Sequence, residues 1–227
     1  MSENLRAHTI SRGRSVEMDN NARRVLRNTW NLLSLTLLFS AGVAWLSMAN
    51  NWPHPGLVIT LVGYFGLLFA TQALRNSAWG ILTTFALTGF MGLTIGPIIN
   101  AYTTMFSNGD QIVIAAMGTT GVAFVGLSGF AMVTKKDFSF MGPMLFVGIL
   151  VAFVASLVAV FFNMPALSLA VSAMFALLMC GLILFQTQQI VRGGETNYIM
   201  ATVTLFVSIY NLFLSLLQLF GFFFGEE

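Results

Sequence analysis

The long apolar runs of this chain carry no charge at all. Of its 227 residues, 8% are Asp, Glu, Lys or Arg, against about 25% in an ordinary soluble domain. Ion pathways, proton relays and voltage sensors place acids or bases inside the membrane, so the absence argues against a proton-coupled transporter. Histidine occurs twice, as His8 near the N-terminus and His54 between Pro53 and Pro55. Neither has Cys, Asp or Glu at metal-ligand spacing, so no metal and no cofactor are expected. No His or Lys stands in a span to activate a serine, and no catalytic residue is assigned. The single cysteine, Cys180, forms no internal disulfide and reads as a small packed side chain in an apolar run. No GxxxxGK[ST] phosphate loop is present. Arg192–Gly193–Gly194–Glu195 instead reads as a helix end and chain reversal. No short apolar segment with a small-residue cleavage site opens the chain, so the first span is expected to be its own signal anchor.

Hydrophobic length is what the chain does have, with 57% hydrophobic residues and mean hydropathy +0.84. A membrane helix needs roughly 17–25 apolar residues. Seven runs qualify: 30–49, 57–74, 79–102, 111–133, 141–162, 165–187 and 198–224. The fold class is therefore an all-α integral membrane protein of seven transmembrane helices. It divides into a basic, polar tail over residues 1–28, expected to be mobile as far as Met18, and a single bundle over 29–227. Residues 20–28 are expected to extend span one as a helix into the cytoplasm.

Every Lys and Arg falls on one side of that arrangement. Arg6, Arg12, Arg14, Arg23, Arg24 and Arg27 precede span one, Arg75 follows span two, Lys135 and Lys136 follow span four, and Arg192 follows span six. The opposite connections hold His54 and Asp110, and Glu226 and Glu227 end the chain. By the positive-inside rule the N-terminus is cytoplasmic and the C-terminus lies across the membrane. The net charge of +2 gives no ground for a nucleic-acid partner; the arginines of the tail read as topology determinants beside the head groups of the lipid bilayer.

The most polar membrane-length sequence runs from Leu184 to Gln218. Gln186, Thr187, Gln188 and Gln189 close one apolar run. Thr204, Ser208, Asn211, Ser215 and Gln218 then recur at helical spacing, on one face. Polar groups facing hydrocarbon are costly, so the last helix is expected at the centre of the bundle. Interhelical hydrogen bonding explains the stripe; an uncharged route past Gln186, Ser208 and Asn211 is the alternative. Small residues mark close approach in span three (Gly89, Gly92, Gly96) and span four (Gly118, Gly121, Gly126, Gly129). Ordinary helix packing explains these glycines; a hinge at Gly96–Pro97, where proline removes one backbone bond, is the alternative.

The segment LFQTQQIVRGGETNYIMATVTLFVSIYNLFLSLL resembles the carboxy-terminal signature of the Bax inhibitor-1 family, and TGFMGLTIGPIIN, Thr88 to Asn100, resembles its third-span motif. The likeness covers about residues 27–220 and is nearest the bacterial YccA branch, to which MVTKKDFSFMG and GGETNYI are also similar. The resemblance implies two acids that share a proton and gate a calcium leak with pH. Aligned on LF-x-TQ and VS-x-YN, those positions are Gln186 and Ser208 here, and neither titrates. It follows that the pH switch is absent and that calcium is attracted weakly if at all. Gln186 is expected to bond Ser208 across the helices; pH-dependent flux, if present, would point to Glu195 and Asp137. The YccA branch implies a different role, as a slow substrate and modulator of the membrane protease FtsH. That role needs a polar cytoplasmic handle and a bundle that resists extraction, and no enzymatic activity. A calcium or cation leak channel lined by spans six and seven is the alternative.

Overall fold

The computed structural model describes residues 19–226; the expectation of a mobile tail up to Met18 lies outside them. Seven α-helices account for nearly all of the described chain: α1 (Asn20–Ala49), α2 (Leu57–Leu74), α3 (Trp79–Met105), α4 (Gly109–Val133), α5 (Met141–Phe161), α6 (Pro165–Val191) and α7 (Tyr198–Phe224). All seven are long and apolar enough to cross a membrane. The helical extension is present: α1 starts at Asn20, so the helical bundle begins before residue 29 and takes in Arg23, Arg24 and Arg27. Pro165 opens α6, where a missing N–H leaves no intrahelical bond unmade. The turn before it closes through Asn163 in the left-handed region (φ 48°). Gly193, at φ 76°, ends α6 as expected.

α7 is the axis. From Asn197 to Gly221 it has no exposed residue, and it packs against α6, α4, α1 and α3. α2 and α5 are peripheral. α2 buries one residue, Thr71, and leans on α3. α5 buries Leu145, Ala152 and Ala159, a narrow seam seven residues apart that rests on α6. Phe65 of α2 and Phe153 of α5 meet edge to face, ring centroids 5.9 Å apart. The two glycine sets part company. A side chain at Gly89, Gly92 or Gly96 would collide with Phe39, Ser40 or Ala44–Ser47 of α1, so these glycines seat one helix on another. At Gly118, Gly121, Gly126 and Gly129 of α4 a Cβ would meet nothing within 4 Å, so these glycines present bare backbone outward.

Candidate functional site

The polar face of α7 is enclosed, but mostly satisfied from within its own helix. Ser208, fully buried, donates to the Thr204 carbonyl at 2.7 Å, and Asn211 Nδ2 donates to the Val207 carbonyl at 2.8 Å. Such bonds to the preceding turn need no partner helix. Ser215 is buried as well. Of the five stripe residues Gln218 reaches across: its Nε2 donates to Ser168 Oγ at 2.7 Å, and its Oε1 accepts from Ser172 Oγ at 2.6 Å, both on α6. Thr202 donates within the helix to the Tyr198 carbonyl at 2.7 Å and lies 3.3 Å from the Thr29 carbonyl of α1. Tyr210 OH and Thr94 Oγ1 are 2.9 Å apart, and because Thr94 donates to the Met91 carbonyl, the tyrosine is the donor.

The expected bond between Gln186 and Ser208 is not formed. Ser208 has turned to its own backbone, and Gln186 Nε2 is buried without a hydrogen-bond partner among the described residues. Its neighbours in sequence fare differently. Thr187 Oγ1 is 3.3 Å from Ser128 Oγ of α4. Gln188, 1% exposed, accepts from the Phe138 N–H at 2.7 Å and donates to the Lys136 carbonyl at 2.6 Å.

That last pair belongs to a clasp at the basic end of the bundle. Arg192 donates to the Lys135 and Lys136 carbonyls at 3.0 and 2.6 Å and pairs with Asp137 at 2.9 Å. Hydrogen bonds from Ser139, and then the Arg192 guanidinium, hold the Asp137 carboxyl below the ordinary aspartate range. Asn197 caps α7 by accepting from Ile199 and Met200 N–H at 3.1 Å. Its amide also donates to the Arg75 carbonyl at 3.0 Å and Asn76 Oδ1 at 2.9 Å, tying in the α2–α3 turn. Glu195 Oε1 accepts from the Asn197 N–H at 2.7 Å. Three loops are thus stitched into one plate. At the opposite end Asn108 Nδ2 donates to the Phe224 carbonyl at 2.7 Å, and Ser107 N–H to the Glu226 carbonyl at 2.8 Å, pinning the last residues.

The helix runs unbroken through Gly96–Pro97. Proline leaves the Leu93 carbonyl without its usual partner, and Ser47 Oγ of α1 supplies one at 3.1 Å. Together with the seat of Gly96 on Ala44 and Ser47, this makes the position a filled joint in this conformation. Among the described residues no group of three or more His, Cys, Asp or Glu could hold a metal ion.

The profile of the family described as "Inhibitor of apoptosis-promoting Bax1" matches residues 22–225. The chain belongs to the Bax inhibitor-1 family. It is 50% identical over 203 residues to an uncharacterized protein of Pseudomonas aeruginosa, covering 89% of this chain and 91% of that one. It is 48% identical over 199 residues to a protein of Escherichia coli named "Modulator of FtsH protease YccA", covering 88% and 90%. An uncharacterized membrane protein of Vibrio cholerae is 42% identical over 213 residues, covering 93% and 95%. Seven spans, a central last helix and a YccA-like Bax inhibitor-1 sequence agree throughout.

Within this family framework the clasp is a unit that only the structure reveals. Asp137 and Glu195 stand out in the sequence as loop acids, but Gln188 reads there only as part of an amide cluster. Asn197 carries a signal that sequence reasoning missed: a lone Asn directly before an apolar helical run is an N-cap. Ser47 carries none, because nothing local to it marks a partner 46 residues away.

Proposed function

We propose that this protein sits in the bacterial inner membrane, N-terminus and basic loops in the cytoplasm, and acts as a modulator of the FtsH protease through protein contacts. The observation that carries the reading is the 48% identity, over 88% of the chain, to the protein named a modulator of that protease. The structure supports it in two ways. The interior of the bundle holds no acid or base in the described residues, and the role requires no buried charge. The loops α2–α3, α4–α5 and α6–α7 at the basic end are cross-linked by Gln188, Arg192 and Asn197, and the far end is pinned through Asn108 and Ser107, so the helices after α1 resist extraction one by one, while α1 is held by its seat on Gly89, Gly92 and Gly96 of α3. The protease takes the polar segment before α1 as its handle, occupies itself with a substrate that yields slowly, and so is kept from others. Removing Ser2 to Asp19 lengthens the lifetime of the protein in cells that carry FtsH; an unchanged lifetime contradicts the handle.

A cation leak past the uncharged polar groups of α6 and α7 is the second reading; it rests on the family likeness, since the unpartnered group of Gln186 is the donor Nε2, which neither a cation nor the outward hydrogens of its hydration shell would satisfy. Calcium flux into proteoliposomes at pH about 6 and about 8, against empty vesicles, separates the two. Flux above the empty control establishes a leak; none at either pH leaves the protease reading alone.

A further inference from the structure

A pocket of about 390 Å³ opens between α3, α6 and α7 at the end of the bundle away from the basic loops. Its walls are Tyr102 and Met105 of α3, Phe106 just after that helix and Phe222 of α7, and its polar floor is Ser168 of α6 and Gln218 of α7. The size lies within the ordinary range of small-molecule sites, about 300–1,000 Å³. The floor is held rigidly, since Gln218 is fixed at both amide atoms by Ser168 and Ser172. A primary amide has two N–H donors, and Ser168 takes one, leaving a second for a ligand. The Tyr102 ring is seated against the bare backbone of Gly221, where any side chain would collide with it. Met105 and Phe222, each 66% exposed, continue the apolar wall out of the pocket toward the surroundings of the bundle.

Charge and depth decide what fits. No acidic or basic side chain lines the pocket, so the part of a ligand that enters is neutral and offers acceptors. Helices of 27 residues are about 40 Å long against a hydrocarbon core of about 30 Å, which leaves about 5 Å beyond the core at each end. Gln218 lies six residues before the helix end at Phe224, about 9 Å in, and so about 4 Å below the hydrocarbon boundary. Lipid ester carbonyls lie beside that boundary: they are neutral acceptors, and their acyl chains run inward from the level of Gln218, while Met105 and Phe222, within two residues of their helix ends, stand at interface depth beside the glycerol.

We propose that this pocket is a binding site for a bilayer glycerolipid, with an ester carbonyl accepting from Gln218 and the attached acyl chain lying between α3 and α6. The inference is independent of the protease reading. The probes are dioleoyl phosphatidylethanolamine and its diether analogue, which lacks the carbonyls, offered to the full-length protein in mild detergent and counted by native mass spectrometry. Wild type retains one diester lipid and holds the diether about fivefold more weakly, the effect of one hydrogen bond. Ala101→Trp, at an exposed position on the pocket wall, loses the diester lipid about tenfold or more. Gln218→Leu removes the preference for the ester. If that variant does not fold, the wild-type ester–ether comparison and Ala101→Trp still decide. Equal retention of the two lipids by wild type, or retention undiminished in Ala101→Trp, overturns the proposal. So does stoichiometric displacement by decylubiquinone, which would assign the carbonyl to an isoprenoid quinone.

Discussion

Pro97 should be tolerable in the middle of α3 only because Ser47 repairs it, and this can be measured as a coupling. In Ser47→Ala the part-buried Leu93 carbonyl is left with neither its proline-blocked partner nor the hydroxyl that stands 3.1 Å away. Ser47 is fully buried, so water does not replace it from outside. Hydrogen bonds between membrane helices average about 0.6 kcal/mol and reach about 1.7, while an unsatisfied buried polar group costs about 1–3 kcal/mol. The expected loss is therefore about 1–2 kcal/mol. In a Pro97→Ala background the restored backbone N–H closes the helix onto the Leu93 carbonyl, the hydroxyl becomes redundant, and Ser47→Ala costs about 0.5 kcal/mol or less. The double-mutant cycle, read by reversible unfolding in mixed micelles, should give a coupling of about 1 kcal/mol. A coupling indistinguishable from zero, with both single variants folded, would refute the repair and return Gly96–Pro97 to the status of a free hinge.

Asn197→Ala removes the cap of α7 and two bonds to the α2–α3 turn, and should lower stability by about 1–2 kcal/mol in the same unfolding assay. Because the Asp137 carboxyl is held below its ordinary range, the Asp137–Arg192 contact contributes fully above pH about 4 and is lost only as pH falls through the lowered value. Labelling of a cysteine placed at Lys135, divided at each pH by the rate for the same cysteine in the unfolded protein to remove the thiolate's own pH dependence, should then be flat between pH 6 and 8 and rise in acid, and in Arg192→Ala the ratio should be high throughout. Gln186→Asp combined with Ser208→Asp should introduce pH-dependent unfolding between pH about 5 and 8, since two enclosed carboxyls do not both ionise easily; a flat profile would mean that the positions are too far apart or too wet to couple.

Much of the bundle is readable from the chain because membrane helices announce themselves by length and by the absence of charge. The start of α1 is legible for another reason: residues 20–28 carry no apolar run of membrane length, but no proline or glycine separates them from span one, and the expected helical extension is there. The central place of α7 follows from five polar residues on one face, and the structure encloses them. Their partners do not follow, because a serine or asparagine can bond its own preceding turn as readily as a neighbour, and Ser208 and Asn211 do so while Gln218 does not. Glycine carries a similar ambiguity. The sets in α3 and α4 look alike in sequence, yet only the first meets another helix, because a glycine permits close approach without supplying the helix that approaches. The clasp of Gln188 and Arg192 on residues 135–138 depends on the register of distant loops, which no local spacing records.

On the proposed reading this bundle restrains FtsH by occupying it. The most direct measurement reconstitutes the full-length protein with purified FtsH and a second, readily degraded membrane substrate, and follows loss of that substrate with ATP. Degradation should slow in proportion to the amount of this protein, while the protein itself disappears more slowly than the competitor, and removing Ser2 to Asp19 should abolish the slowing. An unchanged rate at saturating, correctly inserted protein would contradict the claim.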